Sequence, residues 1–318
     1  MMRYTDIPGL AVPVSDIIFG CCNPILINGD EQGIKLLDMA YSNGFTAFDT
    51  AKVYGKSEEV LGRWLKSTGL RDSIVLISKG CHPDPEPRLD VPSLKEDIES
   101  SLERLQTDHI DIYMLHRDDP DADVEGIMET LDAYVRQGVI RKIGVSNWTH
   151  KRMEEANRIA AAKGFAGFTV SSPQMSLARQ VNDPWGGGCV SVSWDEEAKS
   201  WYKNHPEIAV FVYSCLAHGM FSGKVDTKRL WRSKRSLDGA ARKGYWSREN
   251  IKRLKVAEDI ARTKNCPVAN ISIAWCRQQE FKAFPIVTVS SEKRIKENVD
   301  GIDIVLSDDE MHKLSLNI

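Results

Sequence analysis

The chain has 318 residues, 42 Lys plus Arg against 45 Asp plus Glu, 42% hydrophobic residues and a formal net charge of −3, values typical of a globular protein. With a pI near 6.2 and basic residues scattered along the chain, no electrostatic footprint for a polyanion exists and nucleic acid is not an expected partner. No run of about 18 apolar residues occurs and Met1 to Leu10 has no apolar stretch, so neither a membrane span nor a standard secretion signal is expected. The seven cysteines show no C-x-x-C spacing, which argues against a disulfide framework or structural zinc and fits reduced thiols in a cytoplasm.

The chain opens on a hairpin-like segment, Tyr4 to Val14, with a Pro8-Gly9 turn. Strands are then predicted at about 17–21, 45–49, 74–78, 110–115, 140–145, 168–172, 208–213 and 285–289, from short runs rich in Val, Ile, Phe and Tyr. Helical spacing falls between them, at roughly 30–43, 57–67, 93–105, 123–137, 149–163, 195–204 and 248–279, the last broken by Pro267. A helical stretch at about 291–298 follows, and another after Ser307, with Glu310 three residues on as a capping box. Strict alternation of strand and helix predicts a parallel sheet covered by helices. Eight such units fit one (β/α)8 TIM barrel over residues 1–318 as a single domain, with the hairpin plugging its bottom. Long loops follow the sixth strand, with Trp185, Gly186, Gly187, Gly188 and Trp194, and the seventh, rich in Lys, Arg and Gly; loops above about 15 residues in a compact domain are usually functional or mobile.

In such a barrel the C-terminal strand ends converge on the active site. Here they read Cys21-Cys22, Asp49, Lys79, His116, Ser146-Asn147, Gln174, Tyr213-Ser214 and Ser290-Ser291, a polar group at the end of every apolar strand. Tyr54 lies five residues after Asp49, before a helix that Ser57 is placed to cap. Proton transfer to a carbonyl oxygen suits Asp49, Tyr54, Lys79 and His116. A tyrosine with a pKa of about 10 is a poor acid at neutral pH unless a cation stabilises its phenolate. Lys79 supplies the cation, Asp49 holds it charged, and a neutral His116 orients the carbonyl. A metal site on Asp49, His82 and His116 is the competing arrangement, but it sets Lys79 beside a cation that repels it.

The segments FDTAKVYG with SEEVLG, DHIDIYMLHRDDP, GVIRKIGVSN and VTVSSEKRIKENV resemble, in order, motifs of the aldo-keto reductase family, over about Asp16 to Leu314. The resemblance implies NAD(P)H-dependent reduction of an aldehyde or ketone, reversible, with Asp49, Tyr54, Lys79 and His116 as the catalytic tetrad and Tyr54 as proton donor. It further implies that Ser146, Asn147 and Gln174 bind the nicotinamide carboxamide and Tyr213 stacks on the ring. Ser214, Leu216, Gly219 and Lys224 match the loop over the pyrophosphate, and Gly20 and Cys21 the first-strand positions near the cofactor. Arg294 matches the 2′-phosphate arginine and Glu297 and Asn298 the adenine contacts, while Ser290 and Ser291 put two hydroxyls at a helix start that favours an anion, so NADPH is expected over NADH. The competing role for Arg294 is an ion pair with Glu297 along the helix surface. The chain departs from the pattern at Cys215, where a proline is common, at IVT before the phosphate segment, in QMSLARQ, which lacks a tyrosine often found after Gln174, and at Thr288, where many relatives carry a lysine.

For the substrate, Trp148, Trp185 and Trp194 suggest aromatic faces at the mouth beside His82 and Arg117, an arrangement suited to a polyhydroxylated, sugar-like carbonyl compound; packing of the loop is the competing role for these tryptophans. The competing functional class is a nicotinamide-binding regulatory or interaction subunit with little turnover, and a hydrolase or lyase on the same fold is a third. Oligomeric state is not legible in the sequence.

Overall fold

The structure, a computed structural model, describes residues 1–185 and 187–316, so Gly186, Asn317 and Ile318 lie outside the described residues. Strands β1 (Tyr4–Thr5) and β2 (Val14–Ser15) pair antiparallel. The next eight, β3 (Ile18–Gly20), β4 (Ala47–Asp49), β5 (Val75–Gly80), β6 (Ile110–Leu115), β7 (Ile140–Ser146), β8 (Val170–Ser172), β9 (Ala209–Val212) and β10 (Ala283–Val287), form a closed parallel barrel in chain order, with β10 returning to β3. In β5 (VLISKG) and β6 (IDIYML) every residue is buried, as expected where side chains face the barrel interior on one side and helices on the other.

The predicted helices form within a few residues of the expected bounds. The long one is divided into Arg248–Thr263 and Val268–Arg277, because Pro267 lacks the N–H that a continuous helix needs and instead starts the second piece. Ser307 and Glu310 make the expected capping box of Asp308–Leu314. The last barrel strand begins two residues before the predicted 285, with Pro285 inside it opposite Val212. Short helices at Pro24–Ile27, Leu230–Ser236 and Gly239–Tyr245 were not expected; each is under eight residues and shows no full amphipathic period.

Two apolar layers fix the barrel. Ile18, Ala47, Val75, Ile77, Ile112, Met114, Val170, Phe211, Phe284 and Ile286 fill its interior, and Ile7, Leu10, Val12 and Val14 from the hairpin close the bottom against them. The outer layer lies between strands and helices, where close approach is sometimes required. At Gly62 a Cβ would stand 2.4 Å from the carbonyl oxygen of Arg104 on the neighbouring helix Val91–Leu105. With the bottom sealed, the C-terminal strand ends are where a ligand can enter. No helix among the described residues is long and apolar enough to cross a membrane.

Candidate active site

Asp49 ends β4, Lys79 lies one residue from the end of β5, and His116 follows β6; all three are buried. The Lys79 ammonium donates to Asp49 Oδ1 at 2.5 Å and to the Thr50 carbonyl at 2.8 Å. Tyr54 is brought over this pair by the loop after β4, which stays tied to β5 through Lys52 N–H to the Lys79 carbonyl at 3.0 Å. The Tyr54 ring centre is 5.4 Å from Lys79 Nζ, and the ring stands T-shaped to that of His116, 5.7 Å between centroids. Ser57 does not cap the following helix as expected. Its buried hydroxyl donates to the Cys21 carbonyl at 3.2 Å and accepts from Thr50 at 3.0 Å, so it ties the Tyr54 loop to β3.

The surroundings set the protonation states. Burial, then the Asp49 carboxylate, pushes the Tyr54 hydroxyl well above its ordinary value, so Tyr54 keeps its proton at neutral pH. Burial, aided by the charges of Lys79, His82 and Arg117, holds His116 well below its ordinary value, so the imidazole is neutral. Its Nδ1 is buried with no hydrogen-bond partner among the described residues. Burial also raises the Asp49 carboxyl, while the Lys79 charge offsets part of that rise. Because Lys79 occupies the Asp49 carboxylate, the alternative metal arrangement with His82 and His116 loses its acidic ligand.

Around the rim, Ser146 ends β7 and donates to the Ser172 carbonyl at 3.0 Å. Asn147, in a left-handed conformation at φ 62°, donates to the His116 carbonyl and to Ser146 Oγ, and its Oδ1 accepts from Tyr213 at 2.5 Å and Val190 N–H at 3.4 Å. The Asn147 amide therefore has no hydrogen-bonding capacity left, in contrast to the open donor and acceptor expected of a carboxamide contact. Gln174 accepts from Ser191 and Ser193 and donates once, to Ser176, which leaves one N–H. Gly20 and Cys21 are buried at the end of β3, where a Cβ at Gly20 would meet Thr288 Oγ1 at 2.6 Å. Thr288 thus fits the space that Gly20 leaves.

Sequence reasoning missed the segment that makes several of these contacts. Val190 and Val192 bond the Gln174 backbone, and the Cys189 thiol lies 3.0 Å from the Tyr213 hydroxyl. The only signal was the length of the glycine-rich loop.

Farther out, Ser214 (φ 53°), Ala217 (φ 49°), His218 (φ 53°) and Gly219 (φ 94°) hold left-handed backbone, a conformation that costs a non-glycine residue about 1–2 kcal/mol. Leu216 lies within this turn, and Lys224 beyond it is exposed. Ser290 and Ser291 precede the helix Glu292–Asp300, and the Ser291 side chain makes no cap bond. Arg294 pairs with Glu297 at 3.1 Å, the competing arrangement read from the sequence. Asn298 is buried and its Nδ2 has no partner among the described residues.

At the mouth, His82 meets the His116 ring at 4.9 Å between centroids, and Arg117 donates to the Gly188 carbonyl at 2.8 Å. Trp185 packs edge-on against Tyr213 at 5.9 Å and is exposed. Trp148 does not line the mouth. It is 1% exposed and packs against Phe168, because the left-handed turn at Asn147 sends the next side chain inward. Trp194 is likewise held away, against Trp275 and the Arg253 guanidinium.

A parallel eight-stranded barrel with a lysine–carboxylate pair, a tyrosine and a neutral histidine at adjoining strand ends is built for acid–base chemistry on a small molecule. The model of the Aldo/keto reductase family matches residues 26–315, and the chain belongs to that family, whose members carry out oxidoreduction of carbonyl compounds. It is 24% identical to the uncharacterized oxidoreductase YrpG of Bacillus subtilis, over 99% of this chain and 95% of that one. It is 26% identical to the protein tas of Escherichia coli, over 97% and 95%, and 26% identical to the aldo-keto reductase YhdN of B. subtilis, over 87% and 82%. The fold is that of the thermostable aldo-keto reductase Tm1743, solved in complex with the inhibitor epalrestat, with a TM-score of 0.72 at 23% identity and 99% of each chain covered.

Proposed function

We propose that this chain, acting as one barrel unit, is an NAD(P)H-dependent oxidoreductase that reduces an aldehyde or ketone to an alcohol, with Tyr54 as the proton donor. The observation that carries the reading is the joint arrangement of the buried Lys79–Asp49 pair, Tyr54 over it and a neutral His116 T-shaped to the tyrosine ring. A reduced nicotinamide, when bound, supplies the hydride for the carbonyl carbon. Tyr54 delivers its phenolic proton to the carbonyl oxygen, and the Lys79 charge stabilises the phenolate left behind. Asp49 keeps that ammonium oriented, and the neutral His116 aligns the carbonyl oxygen by a hydrogen bond.

The residues fit a nicotinamide dinucleotide. Tyr213 offers an aromatic face for the ring, and Gln174 and Ser146, the latter braced by Asn147, border the carboxamide position. The turn with Ser214, Leu216 and Gly219, and Lys224 beyond it, suit a pyrophosphate, and Gly20 and Cys21 at the end of β3 suit a neighbouring part of the cofactor. The orphaned Nδ2 of buried Asn298 supports an adenine contact, because a buried donor without a partner is costly unless a ligand satisfies it. Ser290, Ser291 and Arg294 at the start of a helix suit a 2′-phosphate, which favours NADPH over NADH. The seven free cysteines fit a reducing, cytoplasmic setting.

The test is oxidation of NADPH and of NADH by the purified protein with simple aliphatic and aromatic aldehydes and sugars. Turnover with at least one carbonyl compound is expected. Cofactor binding without turnover on any of them would favour a regulatory subunit instead.

A further inference from the structure

Arg117 directly follows His116, and its side chain crosses the mouth of the barrel. Nη1 reaches the carbonyl of Gly188 at 2.8 Å, and the next residue, Cys189, touches the Tyr213 hydroxyl at 3.0 Å. The guanidinium thus spans from the tetrad side of the opening to the Tyr213 side. Its charge is felt at Tyr54, His116, Cys189 and Tyr213 alike.

Arg117 has no carboxylate partner among the described residues. The acid beside it in sequence, Asp118, faces Arg152 at 3.5 Å, and the other cation of the site, Lys79, is already neutralised by Asp49. With Nη1 on Gly188, the edge formed by Nε and Nη2 makes no hydrogen bond among the described residues. That edge presents two parallel N–H groups, the geometry that grips a carboxylate with two bonds. The Nδ1 of His82 lies 2.8 Å from the Pro83 carbonyl, which can only accept, so that nitrogen carries a hydrogen committed to the backbone.

We propose that the substrate is an aldehyde or ketone bearing a carboxylate, held by the Nε/Nη2 edge of Arg117 while its carbonyl oxygen meets Tyr54 and His116. The assignment rests on the carbonyl-reduction reading and replaces the sugar-like class, since two of the three tryptophans on which that class was based pack away from the mouth. Arg117 is partly exposed, and a guanidinium fork without a protein partner favours a substrate that pairs with it by two charge-assisted bonds over a neutral analogue that cannot.

The experiment compares 4-formylbenzoate with its methyl ester, which share one aldehyde and one ring, using NADPH and the full-length protein. The unmutated enzyme is expected to favour the acid by about 10-fold or more in kcat/KM. Arg117→Gln should lower the acid-to-ester ratio by about 10- to 100-fold, mainly through KM for the acid, and Arg117→Lys should fall between. A ratio near one in the unmutated enzyme overturns the assignment and leaves carbonyl reduction standing. So does a parallel fall of both substrates in Arg117→Gln with the ratio unchanged, the behaviour of a residue that merely ties down Gly188. Turnover of neither compound, nor of any other carbonyl compound, overturns the carbonyl-reduction reading and this one with it.

Discussion

The ammonium of Lys79 stands 2.5 Å from the carboxylate of Asp49, and both groups are nearly closed off from water at the floor of the mouth. Removing one partner of a buried pair leaves an uncompensated charge, at a cost of about 3–5 kcal/mol, whereas replacing both with apolar groups is often neutral. Lys79→Met should therefore lower both turnover and stability to denaturant. The double variant Asp49→Leu with Lys79→Met should recover much of the stability and none of the turnover. Recovery of activity in the double variant would show that the pair is structural only.

His116 makes stability depend on pH. Burial holds it well below its ordinary value in the folded protein, so below a pH of about 6.5 the unfolded chain takes up a proton that the folded chain refuses. The contribution of the neutral imidazole is fully present above that pH. It is lost as pH falls, by at most about 1.4 kcal/mol per pH unit. Denaturation from pH 7 to 5 should show a shallower decline for His116→Asn than for the unmutated protein. Identical slopes would mean that His116 titrates normally.

Arg294 should read the cofactor phosphate. Its pairing with Glu297 is a half-exposed contact one turn along a helix, worth only about 0.2–0.5 kcal/mol. A hydrogen bond to a charged group is worth about 1.5–3 kcal/mol, so a 2′-phosphate should outcompete Glu297. Arg294→Ala is expected to weaken NADPH binding by about that larger amount and to change NADH little. Titration of both cofactors by intrinsic fluorescence checks this, and an unchanged NADPH-to-NADH affinity ratio would count against it.

The barrel was legible because each strand is a short apolar run ending on a polar residue, and the same rule located Asp49, Lys79 and His116. Tyr54 was legible through its spacing from Asp49. What the sequence hid depends on backbone turns and on tertiary partners. Trp148 follows Ser146-Asn147 and so looked mouth-facing, but the positive φ of Asn147 reverses the chain there. Ser57 had the spacing of a cap, yet a buried hydroxyl beside Cys21 and Thr50 satisfies more groups than one helix N–H. The loop from Asp183 to Ser193 carries no hydrophobic period, so nothing in its order revealed that Val190 and Cys189 would lie against Asn147 and Tyr213.

The central claim is that Tyr54 gives the proton, and Tyr54→Phe tests it most directly, since the change removes one oxygen and keeps the ring against His116. Turnover of NADPH with the best carbonyl substrate should fall by about 10²–10⁴, the usual worth of general acid catalysis, while cofactor affinity stays at the unmutated value. Reduction by Tyr54→Phe at near the unmutated rate would contradict the account.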